Sequence, residues 1–275
     1  MNETILKCFS ILLNDYPDYI DESLIREVNS EGILSNEETV RIIISALFKL
    51  DDNREVMDKY FKYIFKELNI EDYNSNLFLR NIKLDNIKYK NWKIENMSYK
   101  PYELFVYNDL EVRDKCVIPQ IGFFASNYNY PAIYENNRIW MLITPNEINT
   151  MDTPIKESFG NVLTYGLGIG YYAYMVSLKE NVKSITIIEK DKSVIELFEN
   201  NILPQFACRD KINIICIDAI EYAKKKIKYD YVFVDIWHDP SDAIDLYKEF
   251  KLLEREDTKY SYWIEKTIQY YLDKL

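Results

Sequence analysis

An α/β fold is what this sequence predicts: a mostly parallel sheet wound with helices over residues 146–275, preceded by a helical region over 1–82 and a small β-rich segment over 83–145. Three observations predict it. After residue 145, runs rich in Ile, Val and Tyr alternate with helix-period stretches, the pattern of parallel strands joined by right-handed crossovers. Before residue 82, apolar positions recur at spacings of three and four between polar ones. Between the two lie short β-branched and aromatic runs separated by turn residues. A chain of 275 residues is long enough for one such domain and a smaller appendage.

The elements follow in order. Leu6, Phe9 and Leu13 form a first helical stripe. Ser35 followed by Glu38 reads as a capping box ahead of Val40, Ile43, Ile44, Leu47 and Phe48. Asn53 is placed to cap a further helix carrying Met57, Phe61, Ile64 and Leu68. The β-rich runs are 103–107, 116–118 and 132–134, the last answered by 138–143 across a turn at Glu135-Asn136-Asn137. Thr144 then caps a helix with Pro145 at its first position. Four strands follow at 161–165, 184–188, 212–217 and 229–234. The stretch Lys259 to Ile264 reads either as a fifth strand or as the start of the last helix, and five parallel strands without a final antiparallel hairpin are expected.

Charge and composition narrow the function. The net charge of −11 opposes phosphate backbones at long range, so nucleic acid is disfavoured as a partner and the lysine stretches 83–93 and 224–228 read as solvated faces. Cys8, Cys116, Cys208 and Cys216 show no C-x-x-C pair, which suggests neither a disulfide framework nor a zinc site. No run approaches the ~20 apolar residues of a membrane span, and Met1 to Leu13 lacks a basic leader, so a cytoplasmic protein without membrane contact is expected.

The residues that carry chemistry gather at strand ends. The first strand of the parallel sheet runs into Gly166-Leu167-Gly168-Ile169-Gly170, where glycines let the chain turn sharply and let a ligand reach the main chain. The second strand ends at Glu189, about twenty residues on, where a carboxylate can accept from both hydroxyls of a ribose. The third ends at Asp218-Ala219, where a carboxylate can accept from an adenine amino group, and the fourth at Asp235. The G-x-G-x-x-G of NAD and FAD proteins is not met, since Tyr171 stands at the third glycine's position. In open α/β sheets ligands bind outside the carboxyl ends of the strands, so four strands deliver these groups to one edge.

These residues, Val162 to Gly170, Ile188 to Asp191, Asp218-Ala219 and Tyr229 to Asp235, resemble the class I S-adenosylmethionine-dependent methyltransferases, a Rossmann-like fold. The look is nearest to the spermidine synthase-type aminopropyltransferases, through the E-x-D of Glu189-Lys190-Asp191 and an aspartate-bearing loop ending in Asp239-Pro240. The resemblance implies S-adenosylmethionine as cofactor. It implies that Tyr165, Gly166, Leu167, Gly168 and Gly170 cradle the methionine part, that Glu189 with Lys190 holds the ribose and Asp218 with Ala219 the adenine, and that Asp235 borders the donor.

The chain departs from both patterns. Thr164 stands where many methyltransferases have an acid, Ile169 replaces the aspartate of the aminopropyltransferase G-G-G-D-G, and Ile139-Trp140-Met141 does not match their tyrosine-histidine-glutamate. Asp235 and Asp239 stand four apart instead of three. The D/N-P-P-Y of amine-modifying nucleic-acid enzymes is absent. Trp237 stands where metal-dependent catechol-type enzymes carry a second carboxylate, so no metal is implied. The main expectation is methyl transfer to a small-molecule acceptor. Aminopropyl transfer is the alternative, followed by a non-catalytic sensor or scaffold.

Asp235, His238 and Asp239 are the candidates by position for moving a proton. For His238, the only histidine, a loop-capping role is equally open, and for Asp239 helix capping is favoured. Trp140, Tyr171, Tyr172 and Trp237 suit either an acceptor pocket or plain packing, with packing favoured, and Asn146 and Glu147, just before the glycine loop, are lesser candidates for a contact to the donor. A homodimer is left open.

Overall fold

The computed structural model describes residues 2–50, 54–85, 87–113, 116–238 and 240–274. By its internal contacts the chain divides into two compact units, one of Met1–Tyr73, Asn96–Tyr130 and Ile143–Glu147, the other of Asn74–Glu95, Pro131–Leu142 and Ile148–Leu275.

In the first unit, helices Asn2–Asp15, Glu22–Val28 and Asn36–Leu47 pack apolar stripes around Phe9, Ile44, Phe61 and Phe123. The Ser35–Glu38 capping box is present in both directions. Asn53 lies outside the described residues. The stripe Met57, Phe61, Ile64, Leu68 does not continue as one helix: helix Arg54–Lys59 gives way to a 3-10 turn at Phe61–Tyr63 and then to strand Phe65–Glu67. That strand pairs parallel with Ile121–Phe123, and burial of Phe61, Ile64 and Phe65 in one core outweighs the helical period. Of the run 103–107 only Phe105–Val106 is strand.

A four-stranded sheet runs in the order 88–89, 92–99, 128–135, 138–142. Its last two strands form the expected hairpin, with Asn136 at φ 49° and Asn137 at φ 62°, left-handed values that asparagine tolerates. The strands at 88–99 carry no strict alternation that would announce them, since Glu95 and Asn96 are both exposed in succession.

The second unit holds the parallel sheet, whose elements are labelled from here. The strands are β1 (Gly160–Tyr165), β2 (Val182–Glu189), β3 (Ile212–Cys216), β4 (Tyr231–Val234) and β5 (Lys259–Tyr262). The helices are α1 (Pro145–Glu157), α2 (Tyr171–Ser177), α3 (Lys192–Asn201), α4 (Ala219–Ala223), α5 (Pro240–Leu253) and α6 (Glu265–Leu272). The strands lie in the order β3-β2-β1-β4-β5, all parallel, so the fold is Rossmann-like as expected. The open question at 259–264 resolves as strand first and helix second, with Ile264 between them at φ 48°.

The sheet packs on both faces. Tyr165, Ile188, Val234 and Tyr262 point into one apolar cluster with Tyr222, Tyr247 and Phe250. The alternate row, Thr164, Ile187 and Phe233, faces Tyr171 and Tyr172 of α2. The chain reverses its direction of winding between β1 and β4, and that switch point opens a crevice at the carboxyl edge.

Candidate functional site

One row of residues crosses that edge. The ladder continues one step past the strands, through Gly166 N–H to Ile188 O (2.9 Å), Asp235 N–H to Tyr165 O (2.9 Å), Ile217 N–H to Glu189 O (3.1 Å) and Trp263 N–H to Val234 O (3.0 Å). Glu189, Gly166, Asp235 and Trp263 are therefore lateral neighbours. By strand parity they lie on the face that holds Thr164 and Phe233, away from the tyrosine cluster.

The glycine loop is built as its sequence requires. Gly166, Gly168 and Gly170 take φ of 95°, 52° and 82°. A methyl on Gly166 would lie 1.9 Å from the Asp235 carbonyl oxygen, so only glycine lets β1 and β4 approach this closely there. The side chain of Glu189 ties the loop to its own strand end. Its Oε2 accepts from the Leu167 N–H (3.3 Å) and its Oε1 from the Asp191 N–H (2.8 Å). Asp191 in turn accepts from the Ser193 N–H and hydroxyl, both at 2.7 Å, and caps α3. Burial pushes its carboxyl up, but the hydrogen bonds from Ser193 outweigh this and hold it below the ordinary range.

Asp218 is exposed and caps α4, accepting from the N–H groups of Ile220 (2.9 Å) and Glu221 (3.1 Å), with Ala219 as the first helical residue. Lys190 is exposed, and its carbonyl oxygen accepts from the Cys216 thiol at 3.7 Å. Tyr165, expected beside the donor, instead buries its ring in the tyrosine cluster, 4.8 Å from Phe250, because its side chain points to the other face of β1.

Asp235 is the chemically distinctive residue. The residue is half-buried, its carboxyl is turned inward, and that burial raises its pKa to about 7. It borders a cavity of about 20 Å³, room for one water molecule, together with Thr164, Gly166, Leu167, Gly168, Met141 and Met151. The lining contains no lysine, arginine or histidine. His238 is not among those lining residues. Its ring is exposed, with Nδ1 3.3 Å from Asp242 Oδ2, while its backbone N–H donates to the same carboxylate at 3.2 Å. Asp239 lies outside the described residues.

Of the aromatic candidates, Tyr171 and Tyr172 line the cavity, although their hydroxyls are already engaged by Asn76 (2.9 Å) and Ser158 (2.6 Å). Trp237 is buried, parallel to Tyr262 at 6.3 Å. Trp140 meets Trp92 edge to face at 5.0 Å. The structure adds residues that the sequence reading did not single out. Trp263, half-buried beside Asp235, donates its indole N–H to Thr150 of α1 (2.9 Å), and Met141 and Met151 line the cavity. Counting positions past the end of β5 would have pointed to Trp263, whereas no local signal marks the methionines.

The fold is a Rossmann-like domain whose carboxyl edge gathers the glycine loop, Glu189, Asp218 and Asp235. Within it, residues 147–255 match the spermine/spermidine synthase domain. Solved structures similar to part of this chain, at low likeness, include the following. A spermidine synthase from Thermotoga maritima is 16% identical over 52% of this chain and 57% of that one, with a TM-score of 0.37. A spermidine synthase in complex with the transition-state analogue AdoDATO is 17% identical over 54% and 61%, with a TM-score of 0.40. A precorrin-8w decarboxylase from Methanobacterium thermoautotrophicum is 16% identical over 42% and 61%, with a TM-score of 0.33. The chain thus spans less than two thirds of each of these relatives. A search of curated protein sequences finds no match.

The domain match corrects the main expectation of methyl transfer. The stretch that carries Gly166, Glu189, Asp218 and Asp235 fits the spermidine synthase branch, the one previously set second, despite Ile169 and the altered spacing of Asp235 and Asp239.

Proposed function

We propose that this chain is an aminopropyltransferase, moving the aminopropyl group of decarboxylated S-adenosylmethionine to a small-molecule amine. The observation that carries the reading is the spermine/spermidine synthase match over 147–255, which covers every residue placed at the sheet edge from Gly166 to Asp235. The lining of the cavity supports it. A donor with a carboxylate would meet Asp235 and two methionines there and no cation, whereas a chain ending in an ammonium meets a carboxyl.

In this reading the nucleoside is a consumed substrate rather than a retained cofactor. Glu189 takes the ribose hydroxyls and Asp218 the adenine amino group. The acceptor enters on the other side of Asp235, beside Trp263, whose indole suits a cationic amine. The neutral amine attacks the methylene carbon next to sulfur. The C–N bond forms as the C–S bond breaks, the electron pair stays on sulfur to give methylthioadenosine, and the ammonium proton passes to Asp235. Alignment of the amine, the carbon and the departing sulfur is the protein's main contribution.

The test is incubation with decarboxylated S-adenosylmethionine and a panel of diamines, with mass-spectrometric detection of methylthioadenosine and the lengthened amine. Equimolar formation of both is expected. Absence of methylthioadenosine with every amine would overturn the reading.

A further inference from the structure

Met141 sits over the middle of the glycine loop. A methyl placed on Gly168 would lie 3.1 Å from its Sδ and 3.3 Å from its Cε, so the thioether rests against the Gly168 backbone. Met141 belongs to strand 138–142, which is fastened locally. Its neighbour Trp140 meets Trp92, and the Trp92 indole N–H donates to Ser193 Oγ (3.0 Å), the residue that holds Asp191. Lys90 pairs with Glu196 of α3. The strand is thus anchored, while the methionine side chain itself is half-buried, unbranched and free of directional bonds.

The space beneath it is small. A cavity of about 20 Å³ takes a water molecule but not the three-carbon chain of a donor whose sulfur lies at this loop. The chain can enter only by moving the thioether off Gly168. An aliphatic chain exchanges one apolar contact for another. A chain that also carries a carboxylate must bring that charge against the thioethers of Met141 and Met151 with no cation in the lining, a desolvation left unpaired.

Resting on the donor reading above, we propose that Met141 is the residue that selects the donor: its thioether yields to a decarboxylated aminopropyl chain and rejects the carboxylated one.

Calorimetric titration of wild type, Met141→Ala and Met141→Lys with three nucleosides tests this: methylthioadenosine, which lacks the chain, decarboxylated S-adenosylmethionine and S-adenosylmethionine. Wild type is expected to prefer the decarboxylated donor. In Met141→Ala that preference should fall about tenfold, since the vacated volume admits a hydrated carboxylate, with methylthioadenosine affinity changed by less than about twofold. Met141→Lys, which sets a cation over Gly168, should shift the preference toward the carboxylated donor. An unchanged preference in either folded variant, or a parallel shift of all three ligands, overturns the role of Met141 while leaving the donor reading intact. Failure of all three nucleosides to bind wild type overturns the donor reading and this inference with it.

Discussion

Burial gives Asp235 an unusual pH behaviour, one that suits the proton-accepting role proposed for it. Its folded pKa of about 7 stands above the ~3.9 of an unfolded aspartate. Between about pH 4 and pH 7 the unfolded chain has therefore lost a proton that the folded one keeps, so stability falls as pH rises through that window and levels off above it. Asp235→Asn lacks this slope. Its stability relative to wild type is expected to grow by on the order of 4 kcal/mol from pH 4 to pH 7, read by denaturant titration at several pH values. In catalysis, kcat/KM should rise about tenfold per pH unit up to pH 7 and then plateau, and Asp235→Asn should lower kcat by about 10²–10⁴-fold and remove that limb. Gly166→Ala meets a backbone oxygen that cannot move aside. Circular dichroism on heating should show a loss of more than about 3 kcal/mol, and retention of wild-type stability would show that β1 and β4 can part.

At the scale of elements, the loops between strand and helix do double duty. Asp218 caps the five-residue α4 and, in the proposed reading, also takes the adenine, so the two roles need separating. Asp218→Asn keeps a capping oxygen and should leave the melting temperature within a degree or two, while Asp218→Ala should cost about 1 kcal/mol. Both should weaken donor binding, measured by calorimetry. If Asp218→Asn binds the donor as wild type does, Asp218 is a cap alone. Trp263 depends on its element in the same way. The turn through Ile264 at φ 48°, uncommon for a β-branched residue, ends β5 and starts α6 directly after the indole set beside Asp235.

At the scale of the whole molecule, the net charge of −11 would favour the approach of the sulfonium and amine substrates of the proposed reaction, both cationic. Raising the ionic strength from about 0.01 M to about 0.3 M shortens the Debye length to a few ångströms and should lower kcat/KM several-fold with little change in kcat. A rate independent of salt would show that charge steering plays no part. Among the described residues no helix is long and apolar enough to cross a membrane.

The sequence by itself determined the parallel sheet and the groups at its carboxyl edge. The strand runs ending at Tyr165, Glu189, Cys216 and Val234 are local patterns, and a glycine loop or a terminal carboxylate keeps its meaning wherever the strand lies. The capping box at Ser35–Glu38 and the Asn136-Asn137 turn were legible for the same reason: both are hydrogen-bonding or φ preferences satisfied within a few residues. Only the tertiary structure decided that Phe65–Glu67 is a strand, because its partner Ile121–Phe123 lies far along the chain. It also turned Tyr165 into the tyrosine cluster, set Trp263 beside Asp235, and brought Met141 onto Gly168. The first two follow from strand parity only once the pairing of β1, β4 and β5 is known, and the third joins distant segments that no spacing in the sequence encodes.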